Sequence, residues 1–513
     1  AYEIPKRDWS SDVCSSDLRR PLTARRWLPY AALGGLALGF IVLLIQQLTE
    51  LSDRRLPCCD YSALELGTRA FLRGEQLTGM YSREGWRHPG PITFVWSALA
   101  RLLPGRGFAE HQVATVAVHM MAIGVMVAMF RRRLSSTAFV VALAAMSVFV
   151  WRFDIDQFRE PWNPFTAMTW TMAAVVLAAA FATRIGWMSL IGFVIVGSFA
   201  VQTHVGAAPV VLIASVFVGR NVYARRGDEG CRRALTTSAL AFLVIWLLPI
   251  IDAVAGDGNL FDVATGTDRG WSTSTPWTSL IRLLAGGPSA MGRYFGPSSP
   301  YVAAGTPTVV EWLLVVAIVA VSVFVWRQRD RHAFAWRLTS LSWAGLILTG
   351  VLLQTTSGPF YRYLLLPVAG LAVLVWIAGL VVIVETVADR TPPLIIPVAA
   401  AIISLVVGVF SAVGVDSEHL VGIYGDERID QTVNDIRANC DAIPDEVVVD
   451  VADVGEEVAW TEAMPVIVAL DDCAHVTVTG LSGFIAGPGY EADDDAVANY
   501  RIDGFGWSAV VND

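Results

Sequence analysis

Long uncharged apolar runs recur along the chain between short polar connections, and their lengths suit helices crossing a hydrocarbon core of about 30 Å. They fall at Trp27–Leu48, Ala109–Phe130, Leu134–Trp151, Phe165–Ala182, Trp187–Val201, Val205–Val218, Thr236–Val254, Val309–Trp326, Leu338–Leu353, Leu364–Val387 and Leu394–Val413. About eleven transmembrane helices are expected. Trp187–Val201 and Val205–Val218 are short for full crossings, so they read either as two spans or as a broken, re-entrant pair around Gln202–His204. The pattern changes in two places. In the first long connection, Leu64, Leu66, Ala70 and Leu72 alternate at helical spacing with Glu65, Arg69 and Arg73, which predicts an amphipathic helix over Tyr61–Leu77 on the membrane surface. Ile92–Leu103 predicts a second interfacial helix. After Gly414 the long runs stop. Strand-like Val447–Val451, helix-like Glu456–Val468 and strand-like His475–Thr479, followed by turn-rich Gly480–Gly489, predict a small α/β domain.

The expected fold class is mostly α: a polytopic helical membrane protein with a small C-terminal α/β domain. Composition agrees, since 54% of the 513 residues are hydrophobic and only 16% charged, too apolar for an ordinary soluble enzyme. Charge adds an orientation. From Gly414 onward there are 22 acids against 3 arginines, which leaves 24 acids and 34 basic residues before it, so an acidic tail follows a basic body. Arg19, Arg20, Arg25 and Arg26 precede the first span, Arg131–Arg133 follow the second, and Arg220–Arg233 and Arg327–Arg337 fill later connections on the same side. The positive-inside rule makes these cytoplasmic in an inner (plasma) membrane. The connection 49–108, the later loops on that side and everything after Gly414 are then extracytoplasmic. Trp27, Trp151, Trp187 and Trp326 stand at span ends as interfacial anchors. The expected division is a cytoplasmic N-terminus over 1–26, a transmembrane body over 27–413 and an acidic extracytoplasmic domain over 414–513. Asp8–Leu18 (DWSSDVCSSDL) reads as a translated sequencing-adaptor oligonucleotide and is set aside, so the natural N-terminus is expected to be missing or altered.

Cysteine spacing excludes zinc fingers and thioredoxin-type sites, for there is no CxxC. Cys58 and Cys59 are adjacent and poorly placed to bridge each other. Cys440 and Cys473 suit either a disulfide in an oxidising compartment or two unlinked thiols. Walker-type, GxSxG, HExxH and dinucleotide motifs are absent, which removes support for ATP-driven transport, serine hydrolysis and zincin chemistry. A basic nucleic-acid footprint is absent too.

The polar residues of the expected outer loops carry the candidate chemistry. Asp60 and Glu65 follow the first span, then Arg69, Tyr81, Ser82, Arg83, Trp86 and His88 before the Pro89-Gly90-Pro91 turn. A carboxylate can serve an acceptor hydroxyl as general base, and the arginine fork can hold a phosphate. The structural alternative is that Asp60 caps the interfacial helix and the arginines meet lipid head groups. The string RFDIDQFREPWNP places Asp154, Asp156, Arg159, Glu160, Trp162 and Asn163 in one short connection. Asp154 and Asp156 could hold a divalent cation on a diphosphate or form salt bridges. Trp162 could stack on a sugar or anchor the next helix. Gln202, Thr203 and His204 interrupt an apolar run, a functional pattern by default, with a histidine bonded to a nearby carbonyl as the alternative. His88 and His204 are also a conceivable metal pair. Tyr361-Arg362-Tyr363 opens a span where a lipid phosphate would lie.

These strings resemble the GT-C superfamily of polytopic glycosyltransferases, and within it a largely uncharacterised bacterial group. The resemblance rests on Asp60 through Glu65, Thr68-Arg69, Tyr81-Ser82-Arg83, Gly85-Trp86, His88 through Pro91, Pro161 through Pro164, Gln202 through Gly206 and Gly258-Asn259-Leu260. It implies transfer of a sugar from a polyprenyl-phosphate donor to an extracytoplasmic lipid, glycan or protein acceptor, by an inverting displacement, for building the cell envelope. It further implies Asp60 as catalytic base with Glu65 second, Arg69, Arg83 or Arg362 on the donor phosphate, and Trp86, His88, Trp162, Asn163, Gln202 and His204 around sugar or acceptor. Where the best-known relatives often carry adjacent Asp-Glu acids, Asp60 is followed by Tyr61. No cofactor is implied beyond a possible divalent cation. The competing readings are a transporter or flippase for a lipid-linked glycan and an envelope assembly protein. A transporter would place its charges within the spans, which are nearly free of them.

Overall fold

The computed structural model describes residues 22–51, 56–82, 84–104, 107–183, 186–265, 277–285, 307–354, 361–387, 394–416, 427–451, 463–493, 496–502 and 507–509. The chain is a multi-pass helical membrane protein. Among the described residues nine helices are long and apolar enough to cross a bilayer, and a bent pair, Glu229–Ile245 with Leu247–Ala255, makes a tenth. The apolar helix Trp187–Thr203 is shorter, at 17 residues, and is followed by a one-turn 3-10 segment and the helix Ala208–Ala224. All eleven expected runs are thus helical. Val309, Val310, Leu313 and Val316 on Val309–Arg327 face outward, a surface that only lipid would tolerate.

Packing follows residue size. Helix Asn163–Thr183 carries no charged residue and many alanines, and it is buried on every face at the centre of the bundle. The first helix, Leu22–Thr49, meets Ile395–Val413 through glycine: a Cβ on Gly408 would lie 2.1 Å from the Gly35 carbonyl oxygen, and one on Gly35 would lie 2.4 Å from the Ser404 backbone. That close approach lets the Ser404 hydroxyl donate to the Ala32 carbonyl at 2.7 Å. The 55° bend at Trp246 has a chemical cause. Pro249 has no N–H to give the Ile245 carbonyl four residues back, and Gln202 Nε2 donates to that oxygen instead, at 2.8 Å.

The two ends of the bundle differ. Glu385 reaches the Ser135 amide and His332 (2.8 Å to its Nδ1), so the Arg-bearing turns after Ala109–Arg133 and Val309–Arg327 share one end. At the other end lie two further helices, Cys59–Arg73 and Ile92–Ala100, and the tail. The tail sheet has strands β1 (Glu446–Val451), β2 (His475–Val478), β3 (Tyr500–Ile502) and β4 (Trp507–Ala509), in the order β2-β1-β3-β4. β1 pairs in parallel with β2 and β3, and β4 closes the edge antiparallel to β3. Helix Met464–Asp471 makes the crossover between the parallel strands β1 and β2. Gly480–Ala486 is a short helix beginning at a glycine with φ 64°, where the sequence suggested turns.

Cys59–Arg73 is more than a one-sided amphipathic helix. Ala63, Leu64, Leu66 and Ala70 form one hydrophobic core with the tail residues Ile467, Leu470, Val476 and Tyr490. Glu65 and Thr68 on its other positions are buried as well. The helix ends at Gly74, left-handed at φ 82°, whose N–H returns to the Ala70 and Phe71 carbonyls.

The cysteines bring one correction and one resolution. Cys58 and Cys59 are joined to each other despite their adjacency, and Cys440 is joined to Cys473. The adjacent pair is possible because Cys59 adopts a left-handed backbone, φ 63°, which swings the two side chains to the same side.

Candidate active site

A cavity of about 200 Å³ opens at the end of the bundle that bears the tail. Its floor comes from the helix starts and breaks at Trp162–Pro164 and His204–Gly206, and its wall from the stretch Met80–His88. Asp60, in the first turn of Cys59–Arg73, and Leu353, Tyr363 and Leu364 complete it. An acid in a first helical turn is favoured by the backbone dipole.

Asp60 is held by neutral donors. The Tyr81 hydroxyl donates to its Oδ1 at 2.5 Å, and the Trp162 indole is a second hydrogen-bond partner. Burial raises its carboxyl to about 6, against the smaller opposing pull of those two hydrogen bonds. An acid tuned that far is mostly ionised at neutral pH, yet is a stronger base than an ordinary carboxylate and can take a proton from a substrate hydroxyl.

Across the cavity His88 and His204 stack at 4.4 Å between ring centroids. The Val205 amide donates to His88 Nδ1 at 3.3 Å, and the Gly206 amide donates to His204 Nδ1 at 3.0 Å. A ring nitrogen that accepts carries no proton, so both imidazoles are neutral and bear hydrogen on Nε2. Burial, with the neighbouring His204 second, holds His88 well below the usual histidine range. The pair is therefore a set of uncharged donors at the cavity edge. Aromatic rings flank it: Trp86 lies 5.7 Å edge-on to His88, Trp162 lies 5.2 Å from Tyr363, and Tyr363 stacks on Tyr361 at 5.9 Å. Trp86 Nε1 is buried with no partner among the described residues, a donor left for a ligand.

The wall Met80–His88 is gripped from two sides. The Arg87 backbone exchanges two hydrogen bonds with the Asn259 side chain, at 2.7 and 2.9 Å. Its guanidinium pairs with Glu491 of the tail at 2.5 Å and lies over the Phe484 ring. The Gly-Asn-Leu motif at 258–260 thus acts on the cavity at one remove.

Of the residues singled out from sequence, Asp60, Tyr81, Ser82, Trp86, His88, Trp162, Asn163, His204 and Tyr363 meet at this cavity. Asn163 also donates to the Thr203 carbonyl at 3.1 Å, tying the two floor segments together. Glu65 and Arg69 are not brought there. Glu65 receives Arg69 at 2.7 Å, His111 at 2.7 Å and Arg101; against burial, the His111 hydrogen bond and then the arginine charges hold its carboxyl well below the usual range. Arg69 spends its remaining donors on Asp471 and Asp472, both at 2.8 Å. Gln202 serves the Ile245 carbonyl freed by Pro249, and it packs where a Cβ on Gly90 would stand.

Asp154 and Asp156 do not converge as a cation pair. Asp154, left-handed at φ 80°, accepts from the Asp156 amide at 3.2 Å. Asp156 pairs with the buried Arg159 at 2.9 Å and accepts from the Asp416 amide at 3.0 Å, which fastens this loop to the end of Ile395–Val413. Among the described residues no group of three or more His, Cys, Asp or Glu is placed to hold a metal ion. Arg83 lies outside the described residues; Arg362 begins a 3-10 turn leading into Leu366–Val387. Sequence reasoning named Tyr81 and Glu160 without their roles, as the partner of Asp60 and the acceptor of the Tyr61 hydroxyl, and missed Glu84 in the wall. No periodicity links positions 21 or 99 residues apart; only the abundance of Tyr and Trp in the outer strings hinted at such donors.

The fold and the cavity together define a polytopic membrane protein with a carboxylate and aromatic pocket at one end of its bundle. That arrangement has solved counterparts. The chain aligns with ArnT from Cupriavidus metallidurans in the apo state at TM-score 0.52 and 12% identity, over 90% of each chain. ArnT from the same organism bound to undecaprenyl phosphate aligns at TM-score 0.53 and 13% identity, over 90% of this chain and 88% of that one. The chain therefore shares the overall fold of these ArnT structures. No protein-family model matches the sequence, and no curated protein matches it.

Proposed function

We propose that this protein is a membrane glycosyltransferase that moves a sugar from a polyprenyl-phosphate donor to a hydroxyl of a lipid, glycan or protein acceptor on the extracytoplasmic side. The observation that carries the reading is Asp60: a carboxyl raised to about 6, hydrogen-bonded among the described residues to the neutral groups named above, in an aromatic cavity. The fold supports the general kind of reaction, and the lipid class follows the ArnT structure that holds undecaprenyl phosphate. Disulfides between Cys58 and Cys59 and between Cys440 and Cys473 suit an oxidising, extracytoplasmic side. The arginine-bearing connections at the opposite end suit the cytoplasm.

In the proposed step Asp60 takes the proton of the acceptor hydroxyl as its oxygen attacks the anomeric carbon. The bond from that carbon to the phosphate oxygen breaks on the opposite face, and polyprenyl phosphate leaves with the electron pair. One displacement inverts the anomeric centre. Trp86, Trp162 and Tyr363 offer faces to the sugar ring, and the Nε2–H groups of His88 and His204 offer donors to its hydroxyls or to the phosphate. Arg362 and Arg83 are the proposed phosphate partners, whereas Glu65, Arg69 and Gln202 are assigned to the scaffold. Asp60→Asn should remove transfer from membranes supplied with polyprenyl-phosphate-linked sugars, read as release of polyprenyl phosphate. Undiminished release would exclude Asp60 as the base. Comparing lipid-linked glycans in cells with and without the gene would identify donor and acceptor.

A further inference from the structure

We propose that the Cys58–Cys59 disulfide is a positioning device that sets the direction of Asp60 into the cavity, an inference that rests on Asp60 being the base. Cys59 is one of two described non-glycine residues with positive φ, at 63°. A β-carbon makes that conformation unfavourable. It persists here because bonding two neighbouring cysteines closes an eight-membered ring around their shared peptide, and few backbone geometries close such a ring. The chain on either side is already fastened. Leu56 is buried in the core shared with the tail, the Ser62 hydroxyl donates to the Pro57 carbonyl, and Asp60 accepts from Tyr81. Cys58 itself is extended, φ −74° and ψ 178°, and its side chain caps nothing. The ring therefore spans the two residues between one anchor and the other, and the torsions of Cys59 aim the residue that follows it. Asp60 is that residue.

Both cysteines are half-buried, so a small dithiol can reach them. Reduction transfers two electrons and two protons from the dithiol, which becomes a disulfide, and leaves two thiols on the protein. Cys59 is then free to leave the left-handed region, and Asp60 turns with it.

The test uses the full-length protein and polyprenyl-phosphate-linked sugars, reading polyprenyl phosphate release. Cys58→Ser with Cys59→Ser should lower turnover about tenfold, the equivalent of about 1.4 kcal/mol, with KM for the lipid within twofold of the parent. Cys58→Ala with Cys59→Gly should recover most of that loss, since glycine takes positive φ without penalty. Full turnover in the serine pair, or a glycine variant as impaired as the serine pair, overturns the proposal. Should the serine pair fail to fold, dithiothreitol on a Cys440→Ser, Cys473→Ser background supplies the readout. A reversible tenfold loss supports the clamp, and an unchanged rate refutes it. Asp60→Asn separates the two readings. If that variant retains turnover the base assignment fails whatever the cysteines do; if it is inactive while the cysteine variants are normal, only the clamp fails.

Discussion

Asp60 and Glu65 stand five residues apart on one helix and meet opposite surroundings. Asp60 faces a cavity with neutral partners, and burial lifts it to about 6. Glu65 faces Arg69, Arg101 and His111, which hold it ionised. A helix turns 100° per residue, so five residues carry a side chain to a different face. One face meets the cavity, and the other meets Arg101 and the span residue His111. The lesson is that an acid's chemistry is set by what the fold brings to it: the same functional group is tuned for proton transfer on one side and spent as the hub of an ion-pair cluster on the other.

Breaking the cluster should have the largest effect on stability. Glu65→Gln leaves Arg69 and Arg101 without their shared carboxylate and should cost about 3–5 kcal/mol, measured by thermal unfolding of the purified protein. The pH dependence has the matching sign. Because Glu65 is depressed in the fold, its contribution is present above the unfolded carboxyl value and is lost as pH falls through the folded one. Asp60 behaves oppositely. Its raised value means that ionisation opposes folding above about 6, so Asp60→Asn should be at least as stable as the parent at pH 7.

Turnover should sharpen the contrast next. A base that must be ionised makes the rate rise with pH and level off above about 6, with about tenfold lost per pH unit below it. A flat rate across that range would remove the titration from the mechanism. Tyr81→Phe deletes a hydrogen bond that favours the ionised form. It should move this limb upward by about one to two pH units, since a bond to a charged group is worth about 1.5–3 kcal/mol. An unmoved limb would mean the tyrosine only fills space. Glu491→Gln is the mildest change. Its carboxylate is 47% exposed opposite Arg87, so under about 1 kcal/mol of stability should go. Any change in KM would trace to a loosened Met80–His88 wall.

The membrane body was legible because eleven apolar runs state their own length, and a bilayer leaves the backbone one way to satisfy itself there. Most of the cavity residues were legible because their types, a carboxylate, indoles, imidazoles and other polar groups clustered outside the spans, have few structural uses at such density. What stayed hidden depends on distance along the chain. Arg69 looked like a phosphate ligand until Asp471 and Asp472, about four hundred residues later, occupied it. Gln202 looked functional until the bend at Pro249 supplied a bare carbonyl. Strands β3 and β4 are three residues each, too short for an alternation to register. The Cys58–Cys59 bond was dismissed on spacing because left-handed backbone at a cysteine is not written in its side chain.

The central claim is that Asp60 does the chemistry while Glu65, on the same helix, does not. Release of polyprenyl phosphate per folded molecule, compared between Asp60→Asn and Glu65→Gln in the same membranes, tests it most directly. Asp60→Asn should fold normally and lose at least about a hundredfold in turnover, and whatever Glu65→Gln survives to fold should turn over near the parent rate. An active Asp60→Asn beside a folded but inactive Glu65→Gln would contradict the account.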